Sequence, residues 1–273
     1  MIRKLFEIDR KIVEEYLKRN HIETTFLIGN IKYFGIENNK ELRRCGDYYG
    51  YFEKSELKGI LPFYNLGSCI PHYESEGAIP YFIELMKDRE FKYLLGMRRV
   101  IEPLYKNLKD VKSIGNISDD AYYINKNLIE FQCKDIEIKN YYELDLDLAA
   151  EFLVEASQIG FGRDDASVEE AKKTLVQRPV EEDYLFAIKD GKMVATACIQ
   201  TTTDKISQIG GVYTTPKERG KGYCKAVVSE LCRIIIERGK IPTLMVRKNN
   251  TPAVKAYEAL GFEFYDDYMI IEL

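Results

Sequence analysis

Apolar residues along this chain recur at two spacings. Some stretches place them three to four residues apart and others at every second residue, which reads as mixed α and β structure. Over residues 3–19, Ile12, Val13, Tyr16 and Leu17 fall on one helical face. Residues 25–35, apolar and aromatic around Gly29-Asn30, fit either helix or strand. Residues 48–52 and 57–64 read as two strands joined by the polar turn Glu53-Lys54-Ser55-Glu56, and helices are expected over 78–87 and 100–108. The polar stretch 110–120, with Gly115 and Asn116, marks the edge of a first unit. A boundary near Glu130 then divides the chain into domains 1–130 and 131–273.

The second half has sharper punctuation. Residues 146–159 form an amphipathic pattern, and a helix over 168–175 has Ser167 as its cap with Glu170 three residues on. Strands over 184–188 and 193–200 flank Asp190-Gly191, a tight-hairpin signal. A third strand, 206–214, is stopped by Pro216. Arg219-Gly220-Lys221-Gly222-Tyr223-Cys224 then leads into a helix with Val227, Val228, Leu231, Ile234 and Ile235 on one face and Gly239 as its stop. A short strand over 243–246 and a helix over 253–260, closed by Gly261, follow. Residues 263–271 read as a strand pair or one long strand.

At 273 residues the chain makes one large domain or two smaller ones, and 45% hydrophobic with 31% charged residues is the composition of a folded protein and not a disordered or fibrous one. No run approaches the ~18 apolar residues of a membrane span, and Met1-Ile2-Arg3-Lys4 opens on charged helix, so the expected location is cytoplasmic, away from the membrane. The six cysteines are scattered without a C-x-x-C pair and the only histidines are His21 and His72, a pattern that supplies neither a disulfide framework nor metal-ligand spacing. A net charge of -4 and a pI near 5.5 disfavour sequence-independent nucleic-acid binding. Residues 1–130 carry 21 basic and 20 acidic side chains and residues 131–273 carry 19 and 24, so the acidic excess lies in the second half, near Asp164-Asp165, Glu169-Glu170 and Glu181-Glu182-Asp183. Such runs are most often solvated surface.

A glycine-rich turn between strand and helix lets backbone N–H groups approach a phosphate, and the helix N-terminus adds partial positive charge. Arg219 and Lys221 add side-chain charge. The sequence Gly210-Gly211-Val212-Tyr213-Thr214-Thr215-Pro216 precedes this loop, and Asn250-Thr251-Pro252-Ala253, Tyr257 and Gly261-Phe262 follow one helix and one strand later. That order resembles the GNAT superfamily of acyl-CoA-dependent N-acetyltransferases. Arg219 and Gly222 fill the first two fixed positions of the family's Q/R-x-x-G-x-G/A loop, and Cys224 fills the third. Asn250, Ala253, Tyr257, Gly261 and Phe262 meet its N-x-x-A-x-x-x-Y-x-x-x-G-F pattern.

The resemblance implies an α/β fold with a mixed sheet, a GNAT fold in 131–273, and an acetyl-CoA co-substrate without a metal. It assigns Val212, Tyr213 and Thr214 to the pantetheine and thioester, Arg219, Gly220, Lys221, Gly222, Tyr223 and Cys224 to the pyrophosphate, Asn250 to the cofactor, and Tyr257 to the general acid for the thiolate. The bland readings are a core aromatic for Tyr257 and a helix cap for Asn250. Two departures stand out. Cys224 replaces a glycine or alanine and could crowd the loop, but a thiol is small, so reduced cofactor affinity is the most expected; as a nucleophile it lacks a histidine in the second half to activate it. Ser207 and Gln208 occupy the stretch where some members hold a glutamate as general base, which leaves Glu155 or Glu182 as the candidate base.

The strand–turn–strand of residues 49–53 and 58–62 echoes 184–188 and 193–196, but no R-G-x-G loop follows. The first half resembles the degenerate GNAT-like half of tandem members; the alternative is an unrelated α+β domain. Either would shape the acceptor site, with Tyr64, Tyr73 and Tyr81 as wall candidates. The expected reaction moves an acetyl group to a primary amine of a small molecule or peptide, cationic if the acidic second half steers it. The rival reading is a non-catalytic acyl-CoA-binding sensor or scaffold, and a longer acyl donor is a third.

Overall fold

A computed structural model describes all residues, Met1–Leu273. The chain runs β1 (Ile2–Lys4), α1 (Arg10–Arg19), α2 (Thr25–Phe34), β2 (Gly46–Glu53), β3 (Glu56–Tyr64), β4 (Ser68–Cys69), β5 (His72–Tyr73), α3 (Ile79–Lys87), β6 (Tyr93–Met97), α4 (Arg98–Leu108) and β7 (Ile117–Asn125). It continues as β8 (Glu137–Asn140), α5 (Leu146–Glu155), α6 (Val168–Val176), β9 (Tyr184–Lys189), β10 (Lys192–Thr202), β11 (Ile206–Thr214), α7 (Tyr223–Glu237), β12 (Ile241–Arg247), α8 (Thr251–Glu258) and β13 (Phe262–Glu272). Apart from the short β5, the second series repeats the first: strand, two helices, three strands, helix, strand, helix, strand. In both series the third strand of the run pairs in parallel with the strand after the next helix, Ser68–Cys69 with Tyr93–Leu94 in the first and Ile206–Ile209 with Ile241–Leu244 in the second.

Two compact units emerge. The first holds Met1–Tyr122, Met245–Asn249 and Phe264–Leu273; the second holds Tyr123–Leu244 and Asn250–Glu263. The sequence-based division at 130 is continuous, whereas these units interleave, because the end of β13 pairs antiparallel with β6, Tyr268 opposite Met97 and Glu272 opposite Tyr93.

In the first unit β1, β2, β3 and β5 form a four-stranded sheet. The β2–β3 hairpin turns through Lys54 and Ser55, both at positive φ, as the β9–β10 hairpin turns through Asp190 and Gly191. Residues 25–34, open between helix and strand on sequence, are helical. Their buried Leu27 and Ile31 are four residues apart and join Val13, Tyr16 and Leu17 of α1 in one core. Tyr64 and Tyr73 are buried, and the Tyr73 hydroxyl donates to the Val100 carbonyl at 2.9 Å, so both are packing residues and not a pocket wall; Tyr81 is exposed. Residues 117–120, placed in a polar boundary stretch on sequence, open β7.

In the second unit the order β12-β11-β10-β9-β8 has one parallel pair and is otherwise antiparallel. Val227, Val228, Leu231 and Ile235 of α7 are buried as the spacing predicts, each side chain worth roughly 1.5–3 kcal/mol on burial. The helix expected over 146–159 instead ends at Glu155 and passes into a π turn, Ala156–Gly160. Residues 262–272 form one long strand, not a pair. All six cysteines are free, no group of three or more His, Cys, Asp or Glu is arranged to hold a metal ion, and no helix is long and apolar enough to cross a membrane.

Candidate functional site

The chemistry collects where β11 passes into α7, within the second unit. Between the pairs Thr196↔Tyr213 and Cys198↔Gly210, β11 carries one extra residue, a bulge with Gly211 at φ +61. A Cβ at Gly211 would lie 3.1 Å from Cys198 Sγ and 3.2 Å from the Tyr184 hydroxyl, so the close approach as well as the backbone angle calls for glycine. The parallel ladder to β12 stops at Ile209↔Leu244 although β11 runs on to Thr214. The edge of residues 210–214 that faces away from β10 is therefore open to a ligand's amides.

After Thr214 the chain makes a short 3-10 turn, Pro216–Glu218, and crosses Gly220 and Gly222 at φ +79 and +86. Gly222 is the N-cap of α7 and supplies no side-chain oxygen, and the first helical bond recorded is Ala226 N–H to the Gly222 carbonyl at 2.9 Å. The N–H groups of the first turn thus point outward without a cap, the arrangement that receives an anion. Arg219 Nε donates to the Thr214 carbonyl at 3.2 Å, which ties the loop to the strand end, and Lys221 pairs with Glu218 at 2.9 Å.

Cys224 does not crowd this loop. Its thiol donates to the Tyr213 carbonyl at 3.1 Å and accepts from the Thr214 hydroxyl at 2.7 Å, turned toward the strand. Burial pushes the thiol up to about 11, so at neutral pH it is protonated and a poor nucleophile. Any acyl transfer at this site should therefore survive Cys224→Ala within about threefold, a change near 0.7 kcal/mol. A hundredfold loss in a steady-state assay would make the thiol a reactant.

Tyr257 is 7% exposed, packs edge-to-face on Phe262 with ring centroids 6.0 Å apart, and is held well above the ordinary tyrosine range by burial and then by the nearby Cys224 thiol. Tyr257 is buried, as the core reading expects, and it neighbours Cys224 at the strand–helix junction. Asn250 caps α8, its side chain accepting from Ala253 N–H at 3.4 Å, and it remains exposed.

The two candidate bases separate. Glu155 ends α5 just before the π turn, a local distortion common at functional sites, and accepts a 2.9 Å bond from the Tyr213 hydroxyl, whose own titration moves up to about 12 through burial and then this carboxylate. Glu182 is 1% exposed and lies 4.0 Å from Arg178, which also donates to the Glu182 carbonyl, a buried structural pairing. Ser207 and Gln208 are both buried. Sequence reading missed the Gly210-Gly211 bulge, for which two glycines inside a strand pattern are the signal. It also missed Phe131: a Cβ at Gly222 would come within 3.0 Å of its ring.

The first unit handles the equivalent stretch differently. Its connection from β5 to α3 is Glu74-Ser75-Glu76-Gly77-Ala78, with Ser75 capping the turn and Glu74 paired to Arg19. Two carboxylates and no glycine-rich loop make this a poor seat for a phosphate.

Residues 187–271 match the family model for FR47-like protein. No curated protein matches the chain. Among solved structures, a GNAT-family acetyltransferase from Colwellia psychrerythraea aligns over 100% of this chain and 99% of its own at 15% identity and TM-score 0.57. A GCN5-related N-acetyltransferase from Sphaerobacter thermophilus aligns over 100% and 95% at 14% identity and TM-score 0.61. A tandem GNAT protein from the clavulanic acid biosynthesis pathway aligns over 100% and 98% at 11% identity and TM-score 0.56. At these identities the likeness is one of fold: the chain shares the fold of these GNAT structures along its whole length, with the element order repeated, and only residues 187–271 match the FR47-like model.

Proposed function

We propose that the chain transfers an acetyl group from acetyl-CoA to a primary amine of a small molecule or peptide by direct attack. The observation that carries this reading is the adjacency of three features in the second unit: the uncapped glycine N-terminus of α7, the open bulged edge of β11, and buried Tyr257 beside Cys224. Acetyl-CoA supplies the activated acyl group. Residues 219–224 would hold its pyrophosphate on backbone N–H groups, and Val212, Tyr213 and Thr214 would bond its amides and stabilise charge developing on the acyl oxygen. Tyr257 would hold the proton that the departing sulfur takes. Glu155, oriented by Tyr213, would accept the proton of the incoming ammonium, directly or through water. Most of the acceleration then comes from aligning two bound reactants. A cationic acceptor fits the acidic balance of the second half.

The test is binding followed by turnover. Acetyl-CoA at ~100 times its dissociation constant should stabilise the protein by about 2.7 kcal/mol, seen as a rise in melting temperature of several degrees. Titration calorimetry should give one CoA per chain, since the first unit's Glu74 and Glu76 stand where a phosphate loop would be. Release of free CoA over a panel of amines should identify the acceptor, with cationic amines ahead of anionic ones. A melting shift without CoA release from any amine would favour the sensor reading, and no shift at all would remove acetyl-CoA from the account.

A further inference from the structure

A segment outside the loop and strand already described lies across α7. Residues 127–133 are pinned to the second unit at successive points: Ile129 N–H donates to the Leu260 carbonyl at 3.0 Å, and Phe131 N–H donates to Ser229 Oγ at 2.9 Å. These bonds hold the Phe131 ring over Gly222, where an added Cβ would lie 3.0 Å from it. Lys225 places its ammonium 3.7 Å from the ring centroid. Beside the ring opens a cavity of about 240 Å³, walled by Ile136, Ile138 and Ala226 and bordered by Gln132 and Glu230. That volume is below the ~300 Å³ at which whole small-molecule pockets begin, so the cavity suits one piece of a larger ligand.

Charge decides which piece. Arg233, the one basic residue on the cavity wall, pairs with Glu230 at 2.5 Å and with Glu237, and Glu130 also lines the space. A phosphate would meet the Glu130 carboxylate and a guanidinium already neutralised by Glu230 and Glu237. A flat, uncharged heteroaromatic ring with an exocyclic amino group meets apolar walls, an amide and carboxylate acceptors. Phe131 itself lines the cavity, so such a ring meets an aromatic side chain there. Ala226 lies one helical turn beyond Gly222, so an occupant of the cavity is within reach of an anion held at the α7 N-terminus.

We propose that Phe131 and this cavity seat the adenine ring of the coenzyme whose pyrophosphate the α7 N-terminus takes. The proposal rests on the acetyl-CoA reading and adds a residue that determines which end of the donor is recognised. Calorimetric titration tests it with acetyl-CoA and with S-acetyl-4′-phosphopantetheine, which keeps the thioester, the amides and one phosphate but lacks the adenosine. Phe131→Ala and Phe131→Leu should each weaken acetyl-CoA about tenfold, in line with base–aromatic stacking, while Phe131→Tyr stays near native. Acetyl-phosphopantetheine should bind all four proteins alike. Native affinity for acetyl-CoA in the Ala and Leu variants, or an equal loss for both ligands, would overturn the adenine seat and leave the acetyl-CoA reading standing. Failure of the native protein to bind acetyl-CoA would overturn both.

Discussion

Tyr257→Phe should lower kcat about a hundredfold while the dissociation constant for acetyl-CoA stays unchanged, since positioned proton donors contribute roughly 10²–10⁴ in rate. The substitution is conservative in packing. Phenylalanine keeps the edge-to-face contact with Phe262, and no hydrogen bond from the Tyr257 hydroxyl to another protein group holds the fold in place. What disappears is one proton beside the junction of β11 and α7. Burial keeps this hydroxyl protonated far into the alkaline range, so ionisation of Tyr257 should not limit native activity up to about pH 9. The rise of activity with pH should instead report the proton lost by the acceptor or its base. Steady-state rates from pH 6 to 9, alongside calorimetric binding, check both parts. An unchanged kcat in the phenylalanine variant would end the role of general acid and leave Tyr257 as packing alone.

Gly261→Ala is expected to be strongly destabilising. Gly261 closes α8 at φ +87, and a Cβ there would lie 2.1 Å from the Asn127 carbonyl oxygen and 3.2 Å from its carbon. The obstacle is backbone, held by the Ile129 N–H to Leu260 carbonyl bond and by Asn125 Nδ2 donating to the same carbonyl at 2.9 Å, so no side chain can swing aside. Strain of the left-handed backbone and the clash together should cost about 3 kcal/mol or more. Gly239 is the internal control: it follows α7 at φ +70 with nothing within 4 Å of its Cβ position. Gly239→Ala should cost only about 1 kcal/mol, the backbone preference alone. Thermal unfolding of the two variants side by side gives the comparison, and equal shifts would show that the Asn127 contact yields.

The readable parts of this chain were those whose physics is local. Asp190-Gly191 encodes its turn through two residues that tolerate positive φ, and Ser167 encodes its cap through one side-chain oxygen. The run from Arg219 to Cys224 encodes the entry into α7 through Gly220 and Gly222, both at positive φ, with no side-chain cap. The bond between Tyr213 and Glu155 could not be read this way, since it joins residues 58 apart in sequence and depends on how α5 lies against β11. Phe131 was invisible for a related reason: it sits in a polar connection with no periodicity, and its partners Gly222, Lys225 and Ser229 lie far along the chain. The helix 25–34 shows the limit of pattern at short range, because a mostly apolar ten-residue segment satisfies either spacing until tertiary packing selects one.

The end of β13 belongs to the first unit, and this has a meaning for synthesis. The edge of β6 that receives Tyr268–Glu272 stays bare until those residues have been made. At ~5–20 residues per second, the roughly 170 residues between Met97 and Tyr268 leave that edge uncovered for roughly 10–30 s. An uncovered strand edge is a template for mispairing, so the nascent first unit is the stage at which this protein is most exposed to aggregation. The arrangement also binds the two repeats into one inheritable object: a gene fragment that ends after the first series encodes a sheet with a missing strand.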